Sequence, residues 1–313
     1  MEIILLGEKF FTPHYSRQIS SVAVRLDNSN EACLFDCGES TQHYLIRSCL
    51  KNRHIKRIII SELNSDACLG IIGLLATFSL NERLVPLEIY GPEGFCKYLR
   101  LFSRYSQTNF SYQIKIFSVK MGVICQFSGY KIIAFPLTQY PFIFGYSIVE
   151  QEKAGKFRIY QAHRLKIPSG PIYGLLKQKT RFILSNGFIL DGEDFCELPT
   201  RGRKFTYITR FSYEKNLVEL AWKSDMLLIN NRKILSNRNN IDYYLTQKIF
   251  KESHIQYLIN LNFCLYKWNS KVLILFYRSQ QKNLCKKYLD LTHIFAFKIK
   301  TNYRLDKITN FNS

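Results

Sequence analysis

The chain has 313 residues, 47% of them hydrophobic, which is enough for a sizeable core and excludes a disordered or low-complexity polymer. Lys and Arg outnumber Asp and Glu by 44 to 24, a formal net charge of +20, which favours an anionic partner such as nucleic acid. No apolar run reaches the roughly 18 residues that a membrane-spanning helix needs, and nine scattered cysteines without a Cys-x-x-Cys pair argue against a disulfide framework or a zinc ribbon.

In chain order, short β-branched runs between turn signals predict strands over 3–6, 21–26, 32–35, 57–60, 87–90, 115–118, 131–135 and 144–148. Helices are expected over 41–48, over 68–79 behind the capping run Asn64-Ser65-Asp66, and over 94–105 behind Gly91-Pro92. Residues 151–203 change character. Glycines, prolines and basic residues punctuate them, which predicts a projecting insertion. Strands then follow over 205–208, 226–229, 271–276 and 293–299, with helices over 213–223, 253–266 and 282–289. Strands followed by strand–helix repeats suggest a layered α/β body. The start, Met1-Glu2-Ile3-Ile4-Leu5-Leu6-Gly7, reads directly as a strand, so no leader peptide is expected. The charge has a bland reading beside the functional one, because wealth in Lys, Asn, Ile, Phe and Tyr is also what AT-rich genomes produce.

Five segments carry a resemblance. Residues 35–42, FDCGESTQ, are similar to the FDCGEGTQ of ribonuclease Z, a tRNA 3′-processing endonuclease family of the metallo-β-lactamase superfamily. Residues 60–70, ISELNSDACLG, occupy the place of its THxHxDH motif, and 137–146, LTQYPFIFGY, that of LDHGxPxxGY. Residues 167–177, IPSGPIYGLLK, are close to its IPxGPLYGxLK, and 202–207 with 216–221 resemble the flanks of its GDTR motif. The resemblance implies an α/β fold, the αββα metallo-β-lactamase sandwich, as one domain over 1–313 with 151–203 as a projecting Gly/Pro-rich tRNA-binding arm.

The family's reaction is understood as two-zinc catalysis, in which two ions activate a shared water and clamp the attacking and leaving oxygens. Such ions need imidazoles and carboxylates. The resemblance puts Glu62, Asn64 and Ala67 where three histidines belong, and only Asp66 remains. Thr138-Gln139 stands for Asp-His, Tyr207-Ile208 for the Gly-Asp before Thr209-Arg210, Asn230-Asn231 for the HE of HEAT, and Leu275 for the last metal histidine. No metal ligand set and no cofactor are therefore expected, although the family uses two zinc ions. Glu62 and Asp66 together would suit a hard cation only with further oxygens. His14, His43, His54, His163 and His293 show no ligand spacing.

Two candidate catalytic residues remain. His254, in ESHIQ, resembles the histidine of the GHST motif, the family's proposed proton donor, and Asp66 is the surviving acid. A lone histidine at a helix start is also what capping or surface chemistry produces, and Asp66 also suits a helix N-cap.

The arm-like segment keeps its features. Lys166, Pro168, Gly170, Pro171, Tyr173, Gly174 and Lys177 are the expected RNA-binding residues, with Lys153, Lys156, Arg158, Arg164, Lys179 and Arg181 around them. The prolines and glycines would stiffen a tip that backbone can bring close to RNA. Tyr173 offers either a base-stacking face or packing inside the arm.

The expected function is thus a ribonuclease Z-like protein that binds pre-tRNA through its arm, with the endonuclease site largely lost: a pseudoenzyme or a partner subunit. An active endonuclease with a divergent metal site and a decayed scaffold with no RNA role stand as alternatives. Expected partners are tRNA precursors and a second subunit, as a homodimer or as a heterodimer with an active ribonuclease Z. Residue usage and the missing leader suit a plastid stroma, with the cytoplasm as the alternative.

Overall fold

The computed structural model describes residues 1–7, 21–26, 31–48, 50–127, 129–138, 142–152, 155–167, 169–178, 180–183, 187, 189–209, 215–230, 248–249 and 252–255, and the backbone of 257–262, 271–278, 285–290, 295–299 and 305–308. Several residues singled out above lie outside the described residues: His14, Gln139, Lys153, Pro168, Lys179, Arg210, Asn231 and His293, together with the side chain of Leu275. The chain forms two compact units, one of Met1–Val149 with Arg203–Ser313, the other of Glu150–Gly202.

The first unit opens with β1 (Glu2–Leu6), β2 (Ser21–Arg25), β3 (Ala32–Phe35), α1 (Thr41–Ile46) and β4 (Ile55–Ile59). There follow α2 (Ser65–Cys68), α3 (Ile71–Leu80), β5 (Leu87–Gly91), α4 (Phe95–Tyr105), β6 (Ile114–Ser118), β7 (Gly122–Gln126), β8 (Tyr130–Thr138) and β9 (Ile143–Glu150). The second unit holds α5 (Ile159–Arg164), α6 (Pro171–Lys177), β10 (Arg181–Ile183) and β11 (Ile189–Asp191). The first unit resumes with β12 (Lys204–Ile208), α7 (Lys215–Ala221), β13 (Met226–Ile229), β14 (Tyr257–Asn262), β15 (Lys271–Arg278), β16 (Cys285–Asp290), β17 (Phe295–Ile299) and β18 (Leu305–Ile308).

Two eight-stranded sheets run β18-β17-β1-β2-β3-β4-β5-β6 and β16-β15-β14-β13-β12-β9-β8-β7. Strand alternation assigns the faces. Ile3, Leu5, Val22, Val24 and Phe35 of the first sheet meet Ile132, Tyr146, Ile148, Phe205 and Tyr207 of the second in one buried cluster. The alternate residues Ile4, Leu6, Ala23 and Leu34 pack outward against Leu45 of α1, Leu74 and Phe78 of α3, and Leu99 of α4. On the far face of the second sheet, Leu137, Ile143, Ile208 and Leu227 cover Leu217 and Ala221 of α7. Helices therefore flank two packed sheets. Arg57 also ties the sheets: it bonds Glu31 (2.9 Å) and Glu88 (3.1 Å) and lies 3.5 Å over the Phe127 ring.

The strands expected over the first half are present, together with β7, whose five residues GVICQ carry little alternation. The helix expected over 68–79 is two, broken before Gly70. Two expected helices are strands. Residues 257–262 form β14, parallel to β13 and antiparallel to β15, and 285–290 form β16 on the edge of the same sheet. Pairing to a sheet neighbour overrode a helical period too short to decide.

Candidate functional site

The motif-bearing loops gather at the carboxyl ends of β3, β4, β12 and β13. Asp36, just after β3, is fully buried and takes a left-handed φ of 57°. Its carboxylate repays that strain with hydrogen bonds. Oδ1 accepts the Ser61 N–H and Oγ–H (both 2.8 Å), and Oδ2 accepts the Tyr207 hydroxyl (2.8 Å). Tyr207 Oη in turn accepts Asn230 Nδ2–H (3.3 Å). Tyr146 donates to Ile60 O (2.7 Å), and burial holds its hydroxyl well above the ordinary tyrosine range.

The next turn is fixed by backbone. Cys37 N–H donates to Ala67 O (2.7 Å), and Gly70 N–H donates to Cys37 O (2.9 Å). A Cβ on Gly70 would lie 1.9 Å from Gly38 O, so this approach requires glycine. Asn64 is the N-cap of α2, its side chain accepting Ala67 N–H at 2.9 Å. Asp66 is therefore not the cap; it stands in the first turn, half-buried, with Ser65 Oγ donating to it at 3.4 Å.

Zinc favours imidazole, thiolate and carboxylate. Against that requirement, Glu62 is buried, the Asn64 side chain is engaged in capping, and the Ala67 methyl sits in the outer apolar cluster. Ile208 joins the apolar cluster with α7, and Thr209 Oγ1 is buried with no hydrogen-bond partner among the described residues. Among the described residues no group of three His, Cys, Asp or Glu could hold a metal ion. The donors at these described positions do not fit a dinuclear zinc centre. Cys37 does not change this, because burial pushes its thiol far above the usual range.

His254 lies elsewhere. β13 and β14 run parallel from Met226 and Tyr257, and Lys223 N–H donates to Ser253 O (2.8 Å). His254 is thus at the amino ends of these strands, exposed, with its ring edge-on to Trp222 at 5.1 Å. Asp66 belongs to the loops at the carboxyl ends, so the two candidate catalytic residues are not brought together. Asp36, Ser61 and Tyr207 form a connected group that sequence reading passed over. The only hint was the aspartate inside FDCGE.

The Glu150–Gly202 unit has a small core of Ala162, Ile167, Leu176, Leu190 and Phe195. Lys166 closes α5 in a left-handed conformation (φ 54°), with its N–H on His163 O (3.0 Å) and the Ile167 N–H on Ala162 O (3.0 Å), a Schellman turn. Pro171 opens α6 at its first turn. Tyr173 packs inward, 4.9 Å from the Phe157 ring, and donates to Ile167 O (3.1 Å). Gly170 and Gly174 are exposed, and a Cβ on either meets nothing within 4 Å. Residues 153–181 hold eight Lys and Arg and no Asp or Glu. Lys166 and Lys177 are exposed, and Arg181 bonds Asp191 (2.8 Å).

No protein-family model matches the chain. Curated relatives do. It is 41% identical to ribonuclease Z of a Cyanothece strain over 228 residues, 73% of this chain and 71% of that protein. It is 41% identical to ribonuclease Z of Nostoc punctiforme over 73% of this chain and 72% of that one. Among solved structures it is similar to human short-form tRNase Z, with a TM-score of 0.56 at 20% identity over 83% of this chain and 91% of that chain. A Bacillus subtilis metallo-β-lactamase fold protein gives a TM-score of 0.51 at 12% identity, covering 83% and 84%. The structural likenesses establish the metallo-β-lactamase fold, and the expectation of an αββα sandwich is met. Identity of this order across some seven-tenths of both chains, on that fold and with the motifs in order, places the chain in the ribonuclease Z family.

Proposed function

We propose that this protein serves tRNA 3′-end maturation by holding tRNA precursors through residues 151–203, with the two-zinc endonuclease site largely lost. It is then a pseudoenzyme or the binding partner of an active ribonuclease Z subunit, as a homodimer or heterodimer. The observation that carries this is the pairing of a basic stretch with two glycines that nothing among the described residues requires. A glycine within a helix costs roughly 1 kcal/mol against alanine. Gly174 stands within α6 with open space where a Cβ would go, and Gly170 just before it is equally open. Smooth backbone at that place suits close approach by an external surface, and Lys166 and Lys177 beside it suit phosphates. Tyr173, turned inward, contributes packing to this face.

Relatives from cyanobacteria support a plastid as the place of work, with the cytoplasm as the other location. No helix among the described residues is long and apolar enough to cross a membrane.

The test is one preparation of the full chain, assayed for zinc content, for cleavage of a tRNA precursor with a 3′ trailer, and for binding of that precursor across a salt series. Salt-dependent binding, little zinc and no cleavage are expected. Lys166→Glu/Lys177→Glu should weaken binding about tenfold and lower the salt slope by about 2. Near-stoichiometric zinc with chelator-sensitive cleavage overturns the proposal, as does absence of binding at low salt.

A further inference from the structure

Charge is spread unevenly over the first unit. Residues 94–149 hold six Lys and Arg and no Asp or Glu, the nearest acids along the chain being Glu93 and Glu150. Three of the six stand on α4. Lys97, Arg100, Leu101 and Arg104 follow the i, i+3, i+4, i+7 spacing that shares one helix face, and all four are exposed. On the opposite face Phe95 and Leu99 pack into the outer apolar cluster with Ala67 and Cys68 of α2. Tyr105 ends the helix 82% exposed. Among the described residues none of the three cations has a carboxylate partner. The face works against the helix that carries it: Arg100 and Arg104 are like charges one turn apart, and Lys97 opposes the macrodipole in a first turn that holds no acid. Charge that folding leaves unneutralised suits an anionic partner. The position of the face fits as well. β5 runs parallel to β4, so α4, which follows β5, begins at the carboxyl ends where the motif-bearing loops gather. A Cβ on Gly94, the N-cap of α4, would lie 3.3 Å from the Leu63 side chain of the 60–70 loop. From there the face runs about 10 Å, from Lys97 to Arg104.

We propose that this face of α4, ending on Tyr105, is a track for single-stranded RNA, and that its occupant is the 3′ trailer of a tRNA precursor. The inference rests on the reading that the chain holds such precursors. It adds a second contact surface, on the sandwich, to the one over 151–203. Lys97, Arg100 and Arg104 meet phosphates. Leu101 and Tyr105 meet bases, which a single strand offers to an aromatic face and a duplex keeps stacked inside. A duplex would engage the cations and leave both apolar groups unused.

The test measures binding of two RNAs to the full chain across a salt series: a tRNA precursor with a 3′ trailer, and the same RNA without it. Chelator is present throughout, so that no cleavage removes the trailer. The variants are Lys97→Gln/Arg100→Gln/Arg104→Gln and Tyr105→Ala, with Lys166→Glu/Lys177→Glu alongside. The unaltered chain should bind the trailer-bearing RNA more tightly. The α4 triple variant should bind it about tenfold more weakly, with a salt slope lower by about 2 from three lost single-strand contacts, and should bind the trailer-free RNA as the unaltered chain does. Tyr105→Ala should weaken binding of the trailer-bearing RNA about fivefold at an unchanged salt slope, as loss of one stacked base does. The thermal midpoint of the triple variant should hold or rise, because like-charge repulsion is relieved; a lower midpoint would assign the cations to the fold and overturn the track. Equal losses on the two RNAs overturn it too, since they would mean duplex contact or general attraction. Binding that falls with Lys166→Glu/Lys177→Glu but not with the α4 variants defeats this inference alone. No binding of either RNA by the unaltered chain at low salt defeats the function proposed above, and this inference with it.

Discussion

Gly70 and Gly174 are alike in a sequence and opposite in the two units that hold them. A Cβ on Gly70 would collide with Gly38 O at 1.9 Å, whereas one on Gly174 would meet nothing within 4 Å. In the sandwich the interior dictates the residue, because two backbone turns must touch for the FDCGE loop to seat. At Gly174, in the Glu150–Gly202 unit, packing is indifferent. Gly155 and Gly202 show that the distinction is not simply one between units, since a Cβ on them would lie 1.7 Å from Glu197 O and 1.8 Å from Glu150 O. The difference separates glycines that packing requires from glycines around which the fold leaves open space.

Four substitutions or titrations would break or sharpen that contrast. Gly70→Ala should have the largest effect, at least about 3 kcal/mol of stability, because backbone on both sides cannot yield as a side chain would. Urea denaturation reads it, and a loss below about 1 kcal/mol would mean that the Gly38–Gly70 approach is not a fixed contact. Asp36→Ala should follow at about 2–3 kcal/mol, since it removes the buried acceptor of the Ser61 N–H and of the Ser61 and Tyr207 hydroxyls. The same denaturation measurement checks it.

The third concerns pH. Burial pushes the Cys33 thiol up to about 11, against an unfolded value near 9.0. The folded state holds its proton longer than the unfolded chain does, so the stabilisation is complete below about pH 9 and is lost as pH rises towards 11. The slope from this one thiol reaches at most about 1.4 kcal/mol per pH unit. Cys33→Ala should flatten the alkaline fall in stability, as read by denaturation midpoints between pH 8 and 10.5, and an unchanged slope would assign the fall to other groups.

The smallest expected effect has the opposite sign. Gly174→Ala should stabilise the chain by about 0.5–1 kcal/mol while weakening pre-tRNA binding. Gain of stability with undiminished binding would remove the argument for close approach at α6. The same substitution at Gly155 should destabilise.

Much of this was legible locally. The strands of the first half announced themselves as short apolar, β-branched runs between turn signals, because a strand with one face on the inter-sheet core and the other on a helix layer buries both sets of residues. The Schellman turn at Lys166 was not legible, since lysine is a poor signal for a left-handed residue. Nor were β14 and β16, whose side-chain periods fit a helix as well as a strand until sheet neighbours are supplied. The placement of His254 was hidden for the same reason: with β14 taken as a helix, its position at the amino ends of the strands could not be anticipated.

By itself the sequence determined the family motifs in their order and the concentration of positive charge over 153–181, because each of these is a property of neighbours in the chain. Only the tertiary structure decided which distant side chains meet in the interior. Tyr207 and Asp36 stand 171 residues apart, and they meet because β3 and β12 lie in facing sheets and end on the same side. Such a contact follows from strand order and sheet stacking, which no local pattern encodes.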